Sequence, residues 1–172
     1  LPNKSSIIKF NCIKGDSPVG IDGDRERFWQ QIEHQAKLVL EEAQEQYDAA
    51  VARDIVEVVD GACDVDYLQT YLDVLLEAVG VDLPQARELV ADNNNQKYTT
   101  NEHLALRSAK KHSDNGVPAY AEEVAYEGEY YFVVKRKEDG KVLKLIGHQS
   151  PKIADAIPEK TFKMVGEKDV AG

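Results

Sequence analysis

From Phe28 onward apolar residues recur at Phe28, Ile32, Ala36, Val39, Ala43, Tyr47 and Ala50. Steps of three and four are those of a single helix face. They predict a helix that starts near Asp22 to Asp24 and ends near Arg53. Asp54 then suits an N-cap, with Glu57 three residues on as in a capping box. Ile55, Val58, Ala62, Val65, Leu68, Leu72, Leu75 and Val79 carry a second helix to a stop at Gly80. Asp82 caps a third helix that tolerates Pro84 in its first turn and runs out in Asn93-Asn94-Asn95. A fourth begins after Thr99 or Thr100, uses Leu104, Leu106 and Ala109, and stops before Gly116-Val117-Pro118.

The last third changes character. Tyr126 and the run Tyr130 to Val134 favour strand. Glu138-Asp139-Gly140 supplies a turn, and Lys141 to Ile146 returns as a second strand. Residues 1–22 read as an extended segment, and residues 159–172 as a flexible tail. The expected organisation is therefore an extended segment over 1–22, a helical core over 23–125, a β-hairpin and proline loop over 126–158, and the tail. The expected fold class is all-α: a helical bundle with a small C-terminal β-hairpin.

Charge narrows the partners. The 172 residues hold 21 Lys plus Arg against 31 Asp plus Glu, a formal net charge of −10. Nucleic acid and anionic membrane surfaces both call for a basic footprint, so neither is expected as a partner. No apolar run approaches a membrane span, and the start, Leu1-Pro2-Asn3-Lys4, lacks the apolar centre of a signal peptide. Two distant cysteines, Cys12 and Cys63, make neither a disulfide framework nor a zinc site. A reducing cytoplasm is the expected setting.

The acids are unevenly placed. Between Val39 and Gly80 there are eleven, with one base, Arg53. A solvated helix face normally mixes signs at i,i+4 spacing. Glu41 and Glu45 share one face of the first helix, and so do Glu42 and Glu45; Glu41 and Glu42 diverge by about 100°. On the second helix Glu57, Asp60 and Asp64 share a face. The short connection at Arg53 makes the two helices antiparallel neighbours. Carboxylates meeting across that seam raise one another's pKa unless a cation compensates, and Mg²⁺ or Mn²⁺ suits oxygen ligands. The competing reading is a solvated acidic face on a non-enzymatic helical module that binds a basic protein partner.

Glu41-Glu42-Ala43-Gln44-Glu45, followed by Glu57-Val58-Val59-Asp60, resembles the EExxE…ExxD signature of the all-α nucleoside triphosphate pyrophosphohydrolases, the superfamily of MazG and the phosphoribosyl-ATP pyrophosphohydrolases. Asp60-Gly61-Ala62-Cys63-Asp64-Val65-Asp66-Tyr67 resembles the D-G-x-x-D-x-x-Y segment of the MazG-like proteins of bacteriophages. Asn94-Asn95-Gln96-Lys97 is similar to their N-x-x-K motif, and Asp139-Gly140-Lys141-Val142-Leu143-Lys144 with Gln149-Ser150-Pro151 to their tail. The likeness spans about residues 28–157.

The resemblance implies hydrolysis of an NTP or dNTP to the monophosphate and pyrophosphate, in a bundle completed by a homodimer or homotetramer. It implies two or three Mg²⁺ or Mn²⁺ ions held by Glu42, Glu45, Glu57 and Asp60. Asp64 competes with Asp60, because the two motifs centre on different aspartates. Glu41 becomes the base or a supporting carboxylate. Lys97 and Lys144 are candidate phosphate clamps, or else ordinary surface lysines. Asn94 contacts sugar or phosphate, or else caps its helix. Many phage relatives carry a histidine where this chain has Asn11, which makes Asn11 a candidate for base selection. Trp29 either stacks on a base or belongs to the core. The implied substrate is first a guanine nucleotide, as in MazZ-like enzymes that make dGMP from dGTP, with dCTP or dUTP next.

Overall fold

The structure is a computed structural model, and it describes residues 3–166. The chain divides into two compact units. One takes in Leu1–Leu83 and Ala154–Gly172, and the other is Pro84–Ile153.

The first unit is built on a long antiparallel hairpin of α2 (Arg25–Ala52) and α3 (Ile55–Ala78). Both helices begin on aspartate caps. Asp24 accepts from the Arg27 N–H at 2.7 Å, and Asp54 accepts from the Val56 and Glu57 N–H groups at 3.1 and 3.3 Å. These carboxylates satisfy amides that the first turn leaves unpaired, and their charge suits the positive end of the helix. Arg53 takes a left-handed φ of 61° to make the two-residue connection.

The segment expected to be extended over 1–22 instead opens with a helix, α1 (Lys4–Ile13). Asn3 caps it, accepting from Ser5 and Ser6 N–H. Its one well-buried apolar residue, Ile7, is 1% exposed and packs on Tyr71, Val74 and Leu75 of α3. The helix is thus specified by a cap and by distant packing rather than by an apolar stripe. Downstream, Gln31 ties the following loop to α2. Its amide donates to Asp16 Oδ1 at 2.6 Å and to the Ser17 carbonyl at 2.8 Å, and its carbonyl accepts from Val19 N–H. The C-terminal segment closes this unit. Residues Glu159–Val165 form a short helix, α6, where a loose tail was expected; residues 167–172 lie outside the described residues. Met164 and Val165 join the cluster of Val19, Phe28 and Val79, and Thr161 Oγ1 donates to the Val79 carbonyl at 2.5 Å.

The second unit is mixed. Helices α4 (Leu83–Asn95) and α5 (Glu102–Asp114) are joined by a short strand β1 (Tyr98–Thr99). Strands β2 (Ala119–Tyr126), β3 (Glu129–Arg136) and β4 (Val142–Leu143) follow. All pairings are antiparallel. Strand β3 is central, with β2 on one side and both β1 and β4 on the other. The buried face, with Ala119 and Val134, packs on Ala105 and Ala109 of α5 together with Leu145.

The all-α class is therefore corrected to a mixed α/β fold with a four-stranded sheet. The expected hairpin was placed one strand too late. Its long arms are β2 and β3, turning at Glu127-Gly128, and the expected return strand contributes only two residues. The Asp139 turn does exist, stapled by Arg136, which donates from Nε and Nη2 to the two Asp139 carboxylate oxygens at 2.8 and 2.5 Å. That pairing holds the Asp139 carboxyl well below the usual carboxylate range.

Candidate functional site

The acids of α2 and α3 lie on a seam with an unusually close approach. Gly61 is buried, and a Cβ built on it would sit 2.9 Å from Gln46 Cβ and 3.1 Å from Gln46 Cα. Only glycine lets the two backbones come this near. One turn along from that contact, Glu42 on α2 and Asp64 on α3 border the same seam, as expected where antiparallel helices offset by i−4 and i+3 from one crossing point. Further along, Gln35 is 2% exposed and its amide donates to the Leu68 carbonyl at 2.8 Å.

Electrostatics show which acids this geometry gathers. The Glu42 carboxyl is raised above the ordinary carboxylate range. Desolvation is the largest cause, followed by the negative charges of Glu45, Asp64, Asp60 and Glu41. Four of the other five acids singled out from the sequence thus act on Glu42. Asp64 and Asp60, the two aspartates on which the motifs centre, are both among these charges. Glu57 is exposed, one turn nearer the connection, and is not among the charges acting on Glu42. Glu41 has a cation of its own, Lys37 at 3.6 Å.

The donor chemistry suits a hard divalent cation: oxygen ligands only, and a like-charge excess that a cation would relieve. The side chains are not arranged as a ready cage. Among the described residues no group of three or more His, Cys, Asp or Glu side chains is gathered to hold a metal ion.

The remaining candidates are dispersed. Asn11 is 3% exposed and donates to the Ile7 carbonyl at 2.9 Å, a bond within its own helix. Trp29 Nε1 donates to the Val165 carbonyl at 2.9 Å, and the ring meets Phe28 edge-on at 5.3 Å. Thirteen residues separate Trp29 from Glu42, roughly 20 Å along the helix at 1.5 Å per residue. Trp29 therefore holds α6 and is not beside the acids. Asn94, Lys97 and Lys144 belong to the second unit. The N-x-x-K pair bonds to itself: Lys97 Nζ donates to Asn94 Oδ1 at 2.7 Å, and Asn94 Nδ2 to the Val90 carbonyl at 3.1 Å. Lys144 is exposed, and its carbonyl meets His112 Nε2 at 2.8 Å.

Three residues that shape the seam had not been singled out: Gln35, Lys37 and Gln46. Gly61 was noticed only as a letter in a motif. A glycine inside an otherwise regular helix is the signal that marks such close approach. No family model, curated protein or solved structure matches the chain. Among the described residues no helix is long and apolar enough to cross a membrane.

Proposed function

We propose that this protein is a metal-dependent nucleoside triphosphate pyrophosphohydrolase, with a guanine nucleotide as the first substrate to test. The observation that carries the reading is the close approach of α2 and α3 at Gly61, one turn from Glu42, whose carboxyl feels the charges of Glu41 and Glu45 on its own helix and of Asp60 and Asp64 on the other. The resemblance of these residues to the EExxE and D-G-x-x-D patterns supports it independently. Glu42, Glu45, Asp60 and Asp64 would hold Mg²⁺ or Mn²⁺, and Glu57 joins them only if its side chain swings toward the seam. Glu41, oriented by Lys37, would take the proton of the attacking water. Bound there, the ions would neutralise phosphate charge and lower the pKa of a bound water.

Self-association belongs to the same proposal. The far half of the hairpin exposes Leu40, Tyr47, Val51, Ile55, Val56 and Val59, each at least half accessible. Apolar clusters of this kind mark interfaces, and two helical hairpins pair readily into a four-helix bundle. Light scattering should show a dimer or tetramer that Val51→Glu dissociates. A wild-type protein that is monomeric at micromolar concentration would remove this part.

The activity test is direct. All common NTPs and dNTPs are incubated with Mg²⁺ or Mn²⁺, and pyrophosphate and monophosphate are quantified beside Glu45→Gln. The expected result is equimolar products from one or two nucleotides, reduced on the order of 100-fold in the variant. No product with either metal would sink the enzyme reading. That outcome would leave the non-enzymatic acidic module binding a basic partner.

A further inference from the structure

The outer edge of the sheet is built to accept another strand. The β2–β3 turn has two central residues, Glu127 and Gly128, both with positive φ (48° and 84°). That is a type I′ hairpin, in which the flanking pair, Tyr126 and Glu129, exchange both backbone hydrogen bonds. Pairing alternates from there. Tyr126, Val124, Glu122 and Tyr120 therefore bond to β3, and Ala125, Glu123, Ala121 and Ala119 direct their N–H and C=O groups away from it. An independent contact agrees with this phase. The Ala119 N–H donates to Ser113 Oγ at 3.1 Å, and Ser113 Oγ donates to the Ala119 carbonyl at 3.4 Å.

Beyond Ala119 the edge has no paired strand among the described residues. Its one blunting device is the glutamate pair Glu122-Glu123, which opposes an acidic or identical strand and not a basic one. Over its eight residues there is no proline and no lysine, and its register with β3 runs without a bulge. The open sheet face beside it carries Tyr120, Val124 and Tyr126, each 38% exposed or more.

Charge decides the occupant. Residues 119–130 contain four acids, Glu122, Glu123, Glu127 and Glu129, and no base. Lys135 pairs with Glu122 at 2.7 Å, while Glu123 and Glu127 face solvent. A second copy pairing edge to edge would crowd two such sets of acids together, and two-fold registers centred on residue 122 or 123 set like charges directly opposite. A nucleic-acid strand is repelled by the same acids. Side chains of a strand alternate between faces, so arginine or lysine at alternate positions of an added strand would lie along Tyr120, Glu122 and Tyr126 in one phase and beside Glu123 in the other.

We propose that the free edge of β2 binds an extended basic segment of a partner protein, added to the sheet as a fifth strand. Main-chain bonds from Glu123 and Ala125 would supply the pairing. Glu122 and the rings of Tyr120 and Tyr126 on the open face would select the basic side chains, with Glu127 adding negative charge at the turn.

The test uses the full chain and a fluorescein-labelled ten-residue peptide of alternating Arg and Val, followed by anisotropy. Two comparison peptides are the same sequence N-methylated at alternate amides, in both phases, and one with Glu replacing Arg. Saturable binding of the Arg/Val peptide is expected, with about tenfold or greater weakening by N-methylation in one phase only. Ala125→Pro and Glu123→Pro each delete one outward N–H while sparing the β3 ladder, and should weaken binding to a similar degree. Equal binding of both methylated peptides would show a charge contact without strand addition and overturn the proposal. So would no binding of the Arg/Val peptide, or equal binding of the Glu peptide. A wild-type dimer that Glu123→Pro dissociates would give the edge to a second copy instead. The methylated peptides act on the wild-type protein, so the proposal stays open to refutation even if a proline variant misfolds.

Discussion

The two halves of the α2–α3 hairpin share the same helices and have opposite characters. Near the start of α2 and the end of α3, Phe28, Gln31, Gln35, Tyr71, Val74 and Leu75 are buried against α1, α6 and the intervening loop. Toward the Arg53 connection only the helix pair itself remains. There Gly61 is the one buried residue, acids gather along the seam, and the large apolar side chains face outward. Buried contacts are concentrated at one end, and the acids along the seam lie toward the other. A helix end with few buried contacts opens at low cost, which is where ligand binding has most to gain from ordering the chain.

The sharpest way to break this contrast is paired truncation. Leu75→Ala should cost about 2–5 kcal/mol in denaturant unfolding, since it empties a fully buried site. Leu40→Ala should cost less than about 0.5 kcal/mol in the monomeric state, because its side chain is 68% exposed. Comparable losses at the two positions would mean that the far half is as well packed as the near half.

Gly61→Val comes next. A side chain there meets Gln46 backbone, so the helices must separate, at a cost of about 1–3 kcal/mol. The same variant should reduce any Mg²⁺-dependent rise in Tm. An unchanged response to Mg²⁺ would disconnect the close approach from the acids.

The smallest effect is a pH-dependent one at Glu42. Its folded carboxyl is raised above the unfolded value, so its ionisation opposes folding. The favourable state is fully present below the unfolded pKa and is lost as pH rises through the folded one. Glu42→Gln should therefore be more stable than wild type at pH 7, and the difference should shrink toward pH 4. Added Mg²⁺ should narrow it at pH 7 by stabilising the wild type. A variant less stable than wild type at pH 7 would contradict the like-charge account.

Much of this was legible in the residues. The four longest helices follow from apolar periodicity, and Asp24 and Asp54 cap the first two as their chemistry predicts, whereas the fourth is capped by Asn101. The phase of α2 did not follow, because its seam runs through Gln31, Gln35, Glu42 and Gln46, all polar. Tyr47 and Ala50, which continue the apolar stripe, are exposed instead. Strand β2 was hidden because alanine at residues 119, 121 and 125 blurs the alternation set by Tyr120, Glu122 and Val124. The placement of the acids along α2 and α3 was legible because carboxylate spacing on a helix is a local property. The surroundings of Asn11 and Trp29 were not: Asn11 bonds back to Ile7 in a helix that the sequence pattern does not reveal, and Val165 becomes a neighbour of Trp29 through folding alone.

The first unit is interrupted in sequence by the whole of the second: its final pieces, Ala154 onward, arrive after Pro84–Ile153. On the ribosome this inverts the usual order in which amino-terminal domains finish first. The middle of the chain can complete its sheet while the opening hairpin still waits for Thr161, Met164 and Val165. A nascent chain that has emerged from the ribosome just past residue 153 would carry a finished second unit and an unsealed first one, with Phe28 and Val79 still lacking their last cover.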